Sequence, residues 1–204
     1  VNGITSGNDE SPPSNGIDIN LKYEDYENIT IEDTVVRDVE RDDFGSGPTW
    51  NAAIAVKARD DGSYSGTPAT LDGVTLDNVT IEDSVAGLRF GEPGVDYSGS
   101  LTGPTGVTVQ NSQFNNNDEY QVEDLPDSVD LAAVLNSQGN VFTPNGFLIE
   151  EKNRIVAATE VSDWNALDDV RNDLDGNYVL TTDLNQNTAG YDTVVDTANG
   201  FDPV

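Results

Sequence analysis

The sequence predicts an all-β fold of repeated coils, followed by a small segment of helix and strand. The phrase Asn-Ile-Thr-Ile-Glu-Asp-Thr-Val at 28–35 returns as Asn-Val-Thr-Ile-Glu-Asp-Ser-Val at 78–85, with a looser copy at 106–113. Within each copy apolar and polar residues alternate, which is the period of a half-buried strand. Similarity at repeated positions is typical of solenoids, in which each copy forms one coil.

The coils are predicted to span residues 17–158, after an irregular lead-in at 1–16 that is rich in Gly, Ser, Asn and Pro. Each copy carries two strands, and equivalent strands of successive coils would stack as a parallel sheet. The first column is 29–31, 79–81 and 107–109, and the second is 54–56, 88–90 and 120–122. The alternative is an antiparallel sandwich, which requires hairpin turns of the Asp72-Gly73 kind.

Residues 159–204 are predicted to form an α/β capping or docking segment. A helix would begin at Ser162 or Asp163, either of which can cap it, and end before Asp175-Gly176. A strand is predicted at 178–180. The predicted apolar face of the helix consists of Trp164, Leu167, Val170 and Leu174.

The composition is strongly acidic, with 38 Asp plus Glu against nine Lys plus Arg and a net charge of -29. Despite this charge we expect a folded chain with a core, because the strand pattern is regular. It indicates a surface adapted to molar salt, where the Debye length falls to about 3 Å and self-repulsion is screened. The same field disfavours nucleic acid and anionic membranes as partners.

Several kinds of chemistry are excluded by residue types that are absent. The sequence contains no Cys and no His, so disulfides, thiolate catalysis and histidine general bases are ruled out. It has no apolar run long enough for a membrane-spanning helix, so no membrane insertion is predicted. The chain opens without Met, and we expect it to be a mature or excised piece of a longer protein.

Residues 17–150 resemble the right-handed parallel β-helix of the pectate-lyase-like superfamily. The resemblance depends on the repeated Asn-x-Thr-Ile-Glu-Asp phrase and on the strand that follows each copy. It implies a single-stranded right-handed β-helix. The order of helix, Leu-Asp-Gly-x-Tyr-Val-Leu and Gly-Phe-x-Pro-Val in 162–204 resembles the segment that precedes GLUG-type repeats in secreted surface proteins.

Three cations, Lys57, Arg59 and Arg89, lie on or beside neighbouring strands of the second column. The resemblance to polysaccharide lyases implies that one of them is a catalytic base acting beside a uronate carboxylate. It also implies that Asp60 and Asp61 hold Ca²⁺ against that carboxylate. The alternative is that the cations pair with acidic neighbours such as Asp60, Glu82 or Glu92.

Other candidate sites are aromatic residues in loops and two glycosylation patterns. Trp50, Tyr64 and Tyr97 are candidates for stacking on sugar rings, with ordinary loop packing as the alternative. Asn28 and Asn78 each match the N-glycosylation pattern, with a ladder of turn asparagines as the alternative.

The function predicted from these features is structural. A β-helix has open ends, so the chain is expected to self-assemble, or to join neighbouring modules, as part of an extracellular surface layer, adhesin or filament of a halophile. No cofactor is required, although Ca²⁺ or high salt could contribute. The alternatives are a polysaccharide-binding module or lyase-like enzyme acting on acidic glycans, and a shaft piece of a viral tail or spike.

Overall fold

The computed structural model describes residues 2–4, 15–40, 51–97, 103–136, 139–143, 147–150, 153–196 and 200–201. Strands predominate in these residues, so the predicted β-rich class is confirmed. The chain divides into two compact units, Val1–Thr143 with Ile149–Val156, and Pro144–Leu148 with Ala157–Val204. Among the described helices, none is long and apolar enough to cross a membrane.

The described strands of the first unit belong to two six-stranded sheets. The first sheet contains β1 (Asn2–Ile4), β3 (Asp25–Val39), β5 (Thr70–Glu82), β7 (Thr105–Gln110), β8 (Gln113–Asn115) and β10 (Val141–Thr143). The second sheet contains β2 (Ile17–Leu21), β4 (Ile54–Ala58), β6 (Leu88–Phe90), β9 (Val122–Asp124), β11 (Phe147–Glu150) and β12 (Arg154–Ala157). From β2 to β10 the chain alternates between the two sheets, except that β7 and β8 follow each other in the first sheet.

The pairings from β1 to β10 in the first sheet and from β2 to β9 in the second are parallel, and β12 runs antiparallel to β9. In the second sheet Ile54 lies beside Leu88, and Leu88 lies beside Val122. The predicted second column is therefore confirmed for its first two strands, and the third strand begins two residues later than predicted. A short helix, α1 (Leu131–Asn136), precedes β10.

The long strands of the first sheet bend at every fifth residue. In β3 the residues with positive φ are Asn28, Asp33 and Asp38, with φ of 57°, 49° and 56°. The equivalent residues are Gly73, Asn78 and Asp83 on the next pass, and Gly106, Asn111 and Asn116 on the third. Gly, Asn and Asp are the residue types that adopt this left-handed backbone at least cost.

These bends correct the predicted alignment of the first column. Ile29 lies beside Val74 rather than Val79, and Asp33 falls beside Asn78. The two best copies of the phrase are therefore offset by five residues, and Asn28 and Asn78 are not equivalent. The reason is that Gly-Val-Thr-Leu-Asp at 73–77 presents the same bend and the same inward apolar pair as Asn-Val-Thr-Ile-Glu at 78–82.

Inward residues of both sheets form the core of the first unit. After each bend, the first and third residues of β5 point inward, so Val74, Leu76, Val79 and Ile81 are all buried. Phe114 and Phe142 stack in the core with ring centroids 4.9 Å apart. Gly87 permits close approach, because a Cβ at this position would lie against the backbone oxygen of Gln121.

The second unit contains short elements: β13 (Thr159–Val161), α2 (Trp164–Asp169), β14 (Tyr178–Leu180), α3 (Tyr191–Val194), β15 (Val195–Asp196) and β16 (Gly200–Phe201). Asp163 caps α2 by accepting a hydrogen bond from Ala166 N at 2.8 Å, and the predicted strand at 178–180 is present. The predicted helix face is wrong at Leu174, which is 69% exposed because the helical turns end at Asn172. Trp164 is half-buried rather than fully buried, and packs edge-on against Tyr191.

Candidate functional site

Charged side chains form a row across the second sheet. Strand register places Asp18, Ala55, Arg89, Glu123 and Arg154 side by side on β2, β4, β6, β9 and β12. Two positively charged residues of this sheet, Lys57 and Arg89, are buried. Because burying an uncompensated charge costs several kcal/mol, the partners of each cation determine what the site can do.

Lys57 is compensated by two carboxylates. Its Nζ lies 2.9 Å from Asp18 Oδ1 and 3.0 Å from Glu92 Oε2, and its side chain is 6% exposed. Asp18 comes from β2 and Glu92 from the loop after β6, so the lysine joins three segments of the chain. An ammonium has no lone pair with which to accept a proton, and these contacts are those of a structural ion pair.

Arg59 is engaged by Asp61 in the two-pronged geometry that guanidinium and carboxylate favour. Its Nε and Nη2 donate to Asp61 Oδ1 and Oδ2 at 2.5 and 2.7 Å. Glu92 Oε1 is 3.7 Å away, and the guanidinium lies 4.9 Å from the ring centre of Tyr64. The hydrogen bonds from Arg59 lower the pKa of Asp61 and raise that of the guanidinium.

The predicted calcium ligands differ in their surroundings. Asp61 is held by Arg59, so a cation would have to displace a guanidinium, whereas Asp60 is half-buried. Within the described ranges, no group of three or more acidic side chains has the geometry of a metal site. The Asp60–Asp61 calcium site stays a prediction.

Arg89 differs from Lys57 and Arg59, because no carboxylate of the described residues lies within ion-pair distance of it. The residue is 1% exposed. Its Nη1 donates to Tyr120 Oη and its Nη2 to Asn15 Oδ1, both at 3.5 Å, and its Nε has no hydrogen-bond partner in that part of the chain. The carboxylate beside it in the row, Glu123, is paired with Arg154.

The predicted aromatic residues do not form one surface. Tyr64 is half-buried and contacts Tyr23 edge-on, with ring centroids 5.3 Å apart. Tyr97 is half-buried, accepts a hydrogen bond from Glu92 N at 2.8 Å, and so fixes the loop that carries Glu92. Burial raises the pKa of Tyr97. The third candidate, Trp50, lies outside the described residues.

The predicted glycosylation sites lie at left-handed bends of the first sheet. Asn78 donates from Nδ2 to Asp33 Oδ1 at 2.7 Å on the neighbouring pass of the chain. Asn111 donates in the same way to Asp77 at 2.8 Å. Asn28 is exposed, and its Oδ1 lies where a side chain on Gly73 would extend. These contacts are those of the ladder of turn asparagines that was the alternative to glycosylation.

The site also contains four residues that the sequence analysis did not select as functional. They are the cation partners Asp18 and Glu123, the cation Arg154, and the buried Tyr120, whose ring lies 5.3 Å from the Arg154 guanidinium. A usable signal was the strand spacing of the second sheet. Leu88 follows Ile54 by the same interval at which Val122 follows Leu88, and that interval places Glu123 beside Arg89.

The site also contains a buried carboxyl at the end of β9. Asp124 is fully buried and accepts a hydrogen bond from Val129 N at 2.5 Å, with Ser128 Oγ at 3.4 Å. Burial raises the pKa of Asp124 to about 6.

Lys57 and Arg59 are therefore neutralised by structural ion pairs, whereas Arg89 Nε has no hydrogen-bond partner among the described residues. This arrangement ties β2, β4 and the loops after β4 and β6 to one another through buried charge. The chain matches no protein-family model, no curated protein and no solved structure, so its family is not identified by similarity.

Proposed function

We propose that the first unit is a right-handed parallel β-helix, and that the chain is an extracellular structural module that assembles through the ends of this helix. The support for the helix is the path of the chain, which passes back and forth between two sheets, with the third pass through the first sheet divided into β7 and β8. Stacked bends at every fifth residue of the first sheet give successive coils the same shape.

The observation that carries the assembly proposal is the open edge at the N-terminal end of the stack. β2 is the terminal strand of the second sheet, and among the described residues it pairs only with β4. Within the described part of the chain, β3 pairs with β5 alone from Asp25 to Thr34, because β1 lies beside only Arg37 to Val39. Unpaired N–H and C=O groups of this kind are a template for a strand of another chain.

The other end of the stack offers a complementary edge in the first sheet. β10 is terminal there and pairs only with β8 within the described ranges. A contact between two different ends of the same chain is heterologous, and it grows into a filament when the rotation does not close. A surface layer, an adhesin or a filament are the structures that this geometry favours.

The charge supports a setting of high salt. A net charge of -29 opposes the close approach of two copies, and molar salt screens that repulsion to within about 3 Å. We therefore propose a halophilic source and assembly that requires salt. A viral tail or spike shaft would use the same end contacts.

A proline at Asn20 tests the proposal. Ile17 N–H and Leu21 C=O bond to the β4 side, so Asn20, at the alternate position, directs its backbone groups to the open edge. Asn20→Pro removes an edge donor without removing a backbone hydrogen bond to any described residue. We expect light scattering in molar salt to show concentration-dependent assembly of the wild type and of Asn20→Ala, and monomers of Asn20→Pro. Equal assembly by all three would reject the use of this edge.

A second candidate function is binding of acidic polysaccharides at Tyr23 and Tyr64. Tyr23 has a φ of 75° and is 53% exposed, and bulky residues adopt this backbone rarely, most often at functional sites. Lys22 Nζ lies 5.4 Å from the ring centre of Tyr64 and supplies a positive charge for a uronate.

Retardation of the protein in a gel that contains polygalacturonate tests this candidate. Binding that is lost in Tyr23→Ala, but kept in the distant Val141→Ala variant, would support it, and unretarded wild-type protein would reject it. A lyase would also release unsaturated products, and their formation would have to fall in Lys57→Ala or Arg89→Ala.

A further inference from the structure

Arg89 is a buried cation with fewer hydrogen-bond acceptors among the described residues than it has donors. An arginine carries its charge at any accessible pH and presents five N–H donors. The described acceptors for Arg89 are Tyr120 Oη and Asn15 Oδ1, both at 3.5 Å, which is long for a charge-assisted bond. Its Nε has no partner among the described residues, although the residue is 1% exposed.

Tyr120 adds another donor at the same place. The residue is 1% exposed, and its oxygen accepts from Arg89, but within the described residues its own O–H donates to no acceptor. Burial raises the pKa of Tyr120, so the phenol keeps its proton and remains a donor. The guanidinium and the phenol therefore present donors side by side, with too few acceptors for them.

The carboxylates near Arg89 are engaged by other cations. In the row across the second sheet, Glu123 lies between Arg89 and Arg154 and is paired with Arg154. Asp18, at the other end of the row, is paired with Lys57. The four cations of this cluster are matched in number by the carboxylates Asp18, Asp61, Glu92 and Glu123, but none of these carboxylates lies within ion-pair distance of Arg89. Among the described residues Arg89 thus has no direct ion-pair partner, and a buried charge in that state is costly unless a counterion accompanies it.

We propose that Arg89 and Tyr120 hold a chloride ion as a structural counterion of the fold. A monatomic anion fits the requirement because it accepts several hydrogen bonds and neutralises the guanidinium at once, which a water molecule does not do. Because both residues are almost completely enclosed, the occupant is a small ion rather than the carboxylate of a polysaccharide. This inference is independent of the proposed assembly, since both donors lie within one chain.

A titration with chloride at constant ionic strength tests the proposal. The unfolding midpoint is measured as sodium chloride replaces sodium gluconate, whose anion is too large for the site. We expect a saturable rise in the midpoint of the wild-type protein. In Tyr120→Phe, which removes only the O–H donor, the chloride concentration at half-saturation should increase about tenfold. In Arg89→Gln the saturable rise should be lost.

Two measurements keep the test decisive. Arg37→Gln is the matched control, because it removes one positive charge from a half-exposed arginine of the first sheet, and it should retain the saturable rise. Crystals grown in sodium bromide should show an anomalous peak within hydrogen-bond distance of Arg89 Nε. A wild-type midpoint that does not respond to chloride, or a bromide-free Arg89 with Glu123 turned toward it, would overturn the proposal.

Discussion

At the scale of single residues, the left-handed bends depend on residue type. Asn78 has a φ of 53°, and a left-handed backbone costs a residue with a Cβ about 1–2 kcal/mol. Replacing it by Gly or by Ala removes the same hydrogen bond to Asp33. We expect the free energy of unfolding of Asn78→Ala, measured with denaturant, to be about 1 kcal/mol lower than that of Asn78→Gly. Equal stability of the two variants would show that the backbone at this bend is unstrained.

Asp124 is expected to make stability depend on pH. Its pKa of about 6 in the folded protein exceeds the ordinary value of 3.8, so its contribution is fully present below about pH 4 and is lost as the pH rises through 6. Asp124→Asn keeps an acceptor for Val129 N and removes the titration. At pH 7 the variant should be more stable than the wild type by about 3 kcal/mol, and this difference should shrink toward zero as the pH falls to 4 and below.

Chemical denaturation at several pH values measures this difference. Asp127→Asn provides the control, because Asp127 is an exposed carboxylate three residues away and its replacement makes the same change in charge. A difference between wild type and Asp124→Asn that stays constant from pH 4 to 7 would contradict the account.

At the scale of elements, close contact between passes of the chain depends on Gly87. Its amide donates to Tyr120 O at 2.9 Å, and a Cβ would overlap the backbone of Gln121. Backbone atoms cannot move aside as a flexible side chain can. Gly87→Ala should therefore destabilise the protein by about 2 kcal/mol or more in urea unfolding.

Gly66 provides the comparison for this substitution. It lies in an exposed loop, and nothing lies within 4 Å of the position of its Cβ. Gly66→Ala should change stability by less than about 0.5 kcal/mol. A similar loss of stability in both variants would indicate that the contact at Gly87 is not tight.

The sequence was sufficient to predict strands and their two columns, because alternation of apolar residues directly reports burial. It was not sufficient to predict the register of the first sheet. Asn28 and Asn78 begin almost identical phrases, yet the structure pairs Asp33 with Asn78. Because the bends recur every five residues, neighbouring five-residue segments are nearly interchangeable in sequence. Which segments align also depends on the loops between passes, and these loops differ in length.

The candidate site was predictable only in part, because the alternation of apolar residues locates the strands but not the loop side chains that contact them. Lys57, Arg59 and Arg89 do lie on or beside neighbouring strands, and Glu92 was named among their partners and pairs with two of them. The alternation that identifies a strand does not identify which loop carboxylate reaches it. The sequence also did not predict that Lys57 and Arg89 are buried. Both occupy positions that alternate with the core residues of their strands, and such positions are expected to be exposed.

At the scale of the whole molecule, the charge of -29 sets how stability responds to salt. Self-repulsion of the folded chain is screened as the Debye length falls from about 10 Å at 0.1 M to about 3 Å at 1 M. Thermal unfolding should therefore shift to higher temperature between these concentrations in sodium chloride and also in sodium gluconate. A midpoint that does not change in either salt would contradict adaptation to high salt.

Electron microscopy of the purified wild-type protein in molar salt tests the proposed assembly most directly. We expect filaments or sheets whose subunits meet at the edge formed by β2 and the first part of β3, and we expect Asn20→Pro to abolish them. Discrete single particles of the wild-type protein at every concentration would contradict assembly and would favour the polysaccharide-binding candidate.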